Sequence, residues 1–315
     1  AALLFLPLLS AKSWKEFGFA GSDQWLDEKE LCRGERSGLR KGLCHAFNDH
    51  LVFRKVEIVS EDPIIVVYRS AIDRKLIRRL SKSVDQMDVK ELKILGSSGT
   101  EVNADGEIRK ANGTLLPNYT TQESMELYFA MQHLLLPLDL RTAEPFQILS
   151  YAKGGFYAPH TDFINERRAG ALNLKMPGNR IATAIISLRR AKRGGGLTLP
   201  YQSSTVMLNA GDVVLFFNET PDKDVDLLST HASCPVLDGV QLGATLWIHS
   251  AGNELRALSR GQSWDLHSLL RRKRTVEDEK LFEITMMNHA TYFDGRHHRS
   301  SEEIIREYRE KQQEQ

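Results

Sequence analysis

His160 and Asp162 form the only His-x-Asp triplet in the chain, within the stretch YAKGGFYAPHTDF at 151–163. In a strand, alternate side chains share a face, so the imidazole and the carboxylate point together while Thr161 points away. Two imidazoles and one carboxylate on one face, with coordination positions left open, are the donor set of non-haem iron oxygenases. Such a triplet is expected about once by chance in a chain of this size, so a distant third ligand must support it. His231, in LLSTHASCPV, is the best-placed candidate: it follows the apolar run AGDVVLFFN and lies far enough along to come from a facing strand. For any single histidine a surface or core imidazole is the commoner alternative; strand-like sequence on both sides lifts this one above it.

The elements that must position these groups follow from the pattern. From Phe146 to His249 run FQILSYA, RIATAIISL, LTLP, TVML, DVVLFF and ATLWIH, separated by Gly, Pro and Asn. Many short strands broken by such turns indicate a β-sandwich or jelly roll. Upstream, PIIVVY reads as a strand, and Ser70 with Asp73 caps a helix AIDRKLIRRLSK whose Leu76, Ile77 and Leu80 share one face. The polar stretch NADGEIRKANGTLLPNYTT reads as an exposed loop. A second helix, TQESMELYFAMQHLLL, spaces Leu127, Met131 and Leu134 for packing. The expected class is α+β: a double-stranded β-helix (jelly roll) with flanking N-terminal helices and a polar C-terminal tail. Its divisions are an N-terminal segment 1–55, a catalytic-type domain 56–255, and a tail 256–315 that is polar and partly helical or disordered.

The 42 Lys and Arg against 41 Asp and Glu leave no global field that would attract nucleic acid or an anionic membrane. No stretch is long and apolar enough to span a bilayer. AALLFLPLLSAKS reads as the end of a signal-peptide core, with a buried N-terminal segment as the alternative. Cys32 and Cys44 flank a glycine- and charge-rich segment with little core of its own, which a disulfide would close well. Sequons at Asn112, Asn118 and Asn218 add to an expectation of a glycoprotein in the secretory pathway. In the tail, RRKR and His297-His298 read as a solvated surface rather than as an address or a metal site.

YAKGGFYAPHTDF, GNRIATAIISL, GGGLTLP, GDVVLFFN and HASCPVLDGVQLGATLWIH occur in the order and approximate spacing of the catalytic domain of collagen prolyl 4-hydroxylase alpha subunits, and the chain resembles that family over roughly residues 31 to 255. The resemblance implies an Fe(II)- and 2-oxoglutarate-dependent dioxygenase that also uses ascorbate. It implies a site in the endoplasmic reticulum lumen, a proline-containing collagen-like peptide as substrate, and protein disulfide isomerase as partner. Carried over by position, His160, Asp162 and His231 bind iron, Tyr151 lies near the 2-oxoglutarate, and Thr183 and Trp247 line its pocket.

The departures are as specific as the matches. Where the family places a lysine that pairs with the far carboxylate of 2-oxoglutarate, this chain has Gln241, in GVQL. A neutral amide gives a net hydrogen bond of about 0.5–1.5 kcal/mol where a charged partner gives about 1.5–3. Arg180, in GNRIAT, is the nearest basic residue in sequence nominated to replace the charge. The cysteine that follows in the family is missing, which leaves Cys234 expected as a free thiol; the family's upstream dimerisation and peptide-binding regions do not precede the matched stretch, which reads either as a fragment or as a short form that recognises substrate through the catalytic domain alone. The alternative reading, favoured by Gln241, is a non-catalytic relative acting as a regulatory or assembly subunit.

Overall fold

A computed structural model of the chain describes residue 32 and residues 44–49, 52–95, 101–103, 108–135, 138–164, 178–220 and 222–253. The apolar start and the tail from 256 lie outside the described residues.

The first strands are β1 (Cys44–Asp49), β2 (Val52–Glu61) and β3 (Ile64–Arg69), followed by helix α1 (Arg74–Val84). Next come β4 (Lys90–Glu91), β5 (Lys93–Leu95), β6 (Glu101–Asn103), β7 (Arg109–Lys110), β8 (Asn112–Leu116) and helix α2 (Gln122–Leu134). β9 (Phe146–Tyr151), β10 (Phe156–His160), β11 (Arg180–Arg189), β12 (Arg193–Gly194) and β13 (Leu197–Leu199) open the region of short strand-like runs. β14 (Ser204–Val206), β15 (Val213–Phe217), β16 (His231–Ser233), β17 (Val236–Asp238) and β18 (Gln241–His249) complete it.

Two antiparallel sheets face each other as a jelly roll. The larger runs β1-β2-β3-β15-β11-β18-β9-β8-β4 and the smaller β14-β13-β16-β10-β7. Side-chain alternation divides the large sheet cleanly. Ile64, Val66 and Tyr68, Ala182, Ala184 and Ile186, and Leu242, Ala244, Leu246 and Ile248 face the core that also takes in both helices. Residues of the opposite parity, among them Ile65, Val67, Val214 and Phe216, pack inward against Leu197, Leu199 and Val206 of the small sheet and Leu208 just beyond it. The inner face of β11 and β18 is where the apolar pattern gives way to Thr183 opposite Trp247.

Both helices form where the periodicity places them, and Leu76, Ile77, Leu80, Leu127, Met131 and Leu134 are all buried. The first cap differs: Asp73 accepts from the backbone N–H groups of Lys75 and Leu76, while Ser70 lies outside the helix at φ +50° with its N–H donating to Asp212 Oδ1. α2 starts on a capping box of Thr121 and Ser124.

Three expectations are corrected. The stretch read as an exposed loop contains β7 and β8, and β8 pairs along β9 from Asn112 opposite Ser150 to Leu116 opposite Phe146. The large sheet also takes in β1 and the start of β2, upstream of residue 56. Cys32 is bonded to Cys234, not Cys44, across a sequence separation of 202. Cys32 packs with Phe156, Ala158 and Ala232 on the outer face of β10 and β16, where it meets Cys234 at the end of β16; the free thiol expected at Cys234 does not exist. Of the sequons, Asn218 is fully buried and its amide donates to Thr183 Oγ1 at 2.9 Å, so it offers no acceptor for a glycan.

Candidate metal centre

The turn between β9 and β10 aims the triplet. Gly154 takes φ +77°, which glycine adopts without penalty. A Cβ on Gly155 would lie 2.8 Å from Ala152 O and 2.9 Å from Lys110 O, so only glycine lets β10 start against β7. β10 then pairs with β16 through Tyr157 opposite Ser233 and His160 opposite His231. Three steps on one strand against two on the other are a β-bulge. The extra residue lets Tyr157 and His160 both face inward, and their rings stack with centroids 3.7 Å apart.

β10 ends at His160, so Asp162 reaches the site from the chain just beyond the strand and not by strict alternation within it. The outcome is nonetheless a cluster. Imidazole and carboxylate atoms of His160, Asp162 and His231 all lie within 4.8 Å of one another. His160 Nε2 is 3.7 Å from Asp162 Oδ1 and His231 Nε2 is 3.6 Å from Asp162 Oδ2. Each ring is fixed from behind, His160 Nδ1 at 2.8 Å from Ala158 O and His231 Nδ1 at 3.1 Å from Ser229 O. A backbone carbonyl accepts, so Nδ1 carries the proton and Nε2 presents a lone pair toward the carboxylate. Phe216 lies against His231 with ring centroids 4.6 Å apart.

The supporting layer holds Asp162. The Thr183 hydroxyl donates to Asp162 Oδ2 at 2.8 Å and accepts from Asn218 Nδ2 at 2.9 Å. Burial, then the proximity of the His231 ring, pushes His160 well below the ordinary imidazole value. Burial alone would raise the Asp162 carboxyl, but His231, His160 and Arg180, with the Thr183 hydrogen bond, hold it below the usual carboxylate range. An ionised carboxylate beside a neutral imidazole is ready for a cation. Two nitrogens and an oxygen within 4.8 Å of one another fit Fe(II).

The remaining predicted residues surround this cluster in different roles. Tyr151 is buried opposite Gln241 in the β9–β18 register, with its hydroxyl 3.4 Å from Ser233 Oγ. Trp247 is opposite Thr183 in the β11–β18 register, and its indole Nε1 is buried without a hydrogen-bond partner among the described residues. Thr183 grips a candidate ligand rather than presenting a free hydroxyl to the pocket. Gln241 Oε1 accepts from the Ala191 N–H at 2.8 Å, which ties the amide to the strand connection beside it. Arg180 is not a free cation: it forms a two-pronged ion pair with Glu144, at 2.5 and 2.9 Å, and lies 3.7 Å over the Trp247 ring. Glu144 also meets His249 Nε2 at 3.0 Å. Burial would raise the Glu144 carboxyl, but hydrogen bonds from His249 and Arg180 keep it below its ordinary value.

One residue escaped the sequence reading. Arg109, on β7, is 5% exposed, faces Tyr157 across the β7–β10 register, and stacks with its guanidinium 4.4 Å from that ring. Its only sequence signal was a basic residue inside a polar run.

Residues 146–249 match the family model of the 2OG-Fe(II) oxygenase superfamily. The chain is 29% identical over 237 residues to the prolyl 4-hydroxylase subunit alpha-2 of Caenorhabditis elegans, covering 71% of this chain and 43% of that protein. It is 34% identical over 122 residues to the human prolyl 4-hydroxylase subunit alpha-1, covering 39% and 23%. The chain thus spans less than half the length of these curated relatives. A crystal structure of a viral collagen prolyl hydroxylase from Paramecium Bursaria Chlorella virus-1, as a 2OG complex, superposes with TM-score 0.47 at 16% identity over 58% of this chain and 94% of that one. Residues 146–249, which include His160, Asp162 and His231, thus match a 2OG-Fe(II) oxygenase superfamily domain, and the chain is similar to the corresponding part of prolyl 4-hydroxylase alpha subunits.

Proposed function

We propose that the protein hydroxylates C4 of peptidyl proline in collagen-like sequences, with Fe(II) held by His160, Asp162 and His231. The observation that carries this reading is the convergence of two back-anchored imidazoles and one ionised, hydrogen-bonded carboxylate within 4.8 Å. When bound, Fe(II) with 2-oxoglutarate and dioxygen supplies the oxidising chemistry: one oxygen atom ends on the proline carbon, the other in succinate, and CO2 leaves. The chain's own part is positional. Ala158 O and Ser229 O orient the two rings, Thr183 fixes the carboxylate, and Phe216 packs against the His231 ring. Ascorbate as reductant, protein disulfide isomerase as partner and the endoplasmic reticulum lumen as compartment belong to the same reading. The Cys32–Cys234 bond supports an oxidising compartment.

Gln241 favours a second reading, a non-catalytic relative acting as a regulatory or assembly subunit. Release of labelled CO2 from 2-oxoglutarate, measured with and without a (Pro-Pro-Gly)-type peptide, decides between them. Peptide-stimulated release is expected. No release from protein that demonstrably holds iron would overturn the catalytic reading in favour of the second.

A further inference from the structure

An arginine remains protonated in a protein interior, and burying it without a counter-charge or full hydrogen bonding is costly. Arg109 is in that position. Its Nε and Nη2 are buried and have no hydrogen-bond partner among the described residues, and what lies beside them is aromatic: Tyr157 beneath the guanidinium, itself stacked on the metal-site His160. Lys110, next in sequence, is exposed, so β7 directs its charge at 109 inward. A buried guanidinium that meets the Tyr151 hydroxyl, keeps two nitrogens without a partner among the described residues and lies one aromatic ring from a metal-ligating histidine has the character of an anion site.

The location is as informative as the charge. Arg109 acts on Tyr151 as well: burial raises that hydroxyl, and the Arg109 charge opposes the rise. Tyr151 pairs in register with Gln241 on β18. Arg109 from the small sheet and Gln241 from the large one thus flank the same tyrosine. The other candidate cation, Arg180, is already paired with Glu144.

We propose that Arg109 receives the far carboxylate of 2-oxoglutarate, so that the cation absent at Gln241 enters the pocket from the opposite sheet. The inference rests on the dioxygenase reading above. Tyr151 and Ser233, whose hydroxyl oxygens lie 3.4 Å apart, supply neutral donors beside the charge. Gln241 is then free to tie down the Ala191 N–H.

Calorimetric titration of the full chain loaded with Mn(II) tests this, with 2-oxoglutarate and 2-oxobutyrate as probes; the second keeps the keto acid and lacks the far carboxylate. Wild type should prefer 2-oxoglutarate. Arg109→Gln should weaken 2-oxoglutarate about 10- to 100-fold and leave 2-oxobutyrate unchanged. Adding Gln241→Lys to that variant should restore the preference by returning a cation to the other side of Tyr151. Undiminished preference in Arg109→Gln, or its loss in Arg180→Gln instead, overturns the assignment. If Arg109→Gln binds neither probe, Arg109→Lys decides: recovered preference supports the assignment, and none overturns it. Wild type that binds Mn(II) but neither keto acid fails the dioxygenase reading itself, a result distinct from failure at Arg109 alone.

Discussion

The two ends of the pocket are built by different rules. At the metal end, β10 and β16 deliver His160 and His231 from facing positions in one register, and Asp162 follows within two residues. At the far end, Tyr151 comes from β9, Gln241 from β18 and Arg109 from β7, on two different sheets. Metal ligation demands particular donor atoms at short, directional distances, so few positions in the fold can satisfy it. A carboxylate needs only a desolvated positive charge within reach. Any strand whose inner face borders the pocket can present one. Few positions in the fold can therefore supply the metal end, whereas the proposed carboxylate end can draw its cation from any of several strands.

The largest expected effect breaks the metal end. His160→Ala, Asp162→Ala and His231→Ala should each abolish Fe(II) or Mn(II) binding in a metal titration, well beyond the roughly 10–100-fold caused by losing a supporting hydrogen bond. Normal binding by His231→Ala would misplace the third ligand. Next is the bond behind β16. Cys32→Ser and Cys234→Ser should each lower stability by about 2–5 kcal/mol, read as a shifted denaturant midpoint. Non-reducing peptide mapping that joined Cys32 to Cys44 would refute the pairing. Thr183→Val should weaken metal affinity about 10- to 100-fold while Thr183→Ser retains it, because only the hydroxyl holds Asp162. Equal affinity in both variants would reduce Thr183 to packing.

The smallest effect sharpens the comparison from the pocket wall. Glu144 titrates below its ordinary value of 4.5 in the folded protein. It therefore contributes stability that is present above 4.5 and is lost as pH falls through its depressed value. Glu144→Gln should flatten that acid-side decline in a series of thermal melts between pH 3 and 6. An unchanged slope would show that Arg180 and His249 do not stabilise its charged form.

How much of this was legible in the sequence follows the same division. β3, β9, β11, β13, β14, β15 and β18 stand where β-branched runs and turn residues place them, and both helices stand where the apolar spacing does. The triad was readable because its residue types are chemically forced. Residues 109–116 were not: Asn112 and Gly113 are turn formers, and their strand state is imposed by pairing with β9. Arg109 was lost with them. The disulfide was misread for a related reason. Cys44 is close in sequence, but the proximity of Cys32 to Cys234 exists only after β10 and β16 have paired and offered an outer apolar face.

That bond bears on how the site opens. β16 has three residues and meets β10 and β13 at only two register positions each. A strand so short is an easy place for local unfolding, the transient, sub-global opening that amide exchange detects. Any such opening would swing His231 away from Asp162. Because Cys234 follows the strand directly and is bonded to Cys32, releasing β16 also requires lifting Cys32 from Phe156 and Ala158. The strand's opening is thereby coupled to a distant part of the chain, and its amides should exchange far more slowly than three residues of ladder alone would allow.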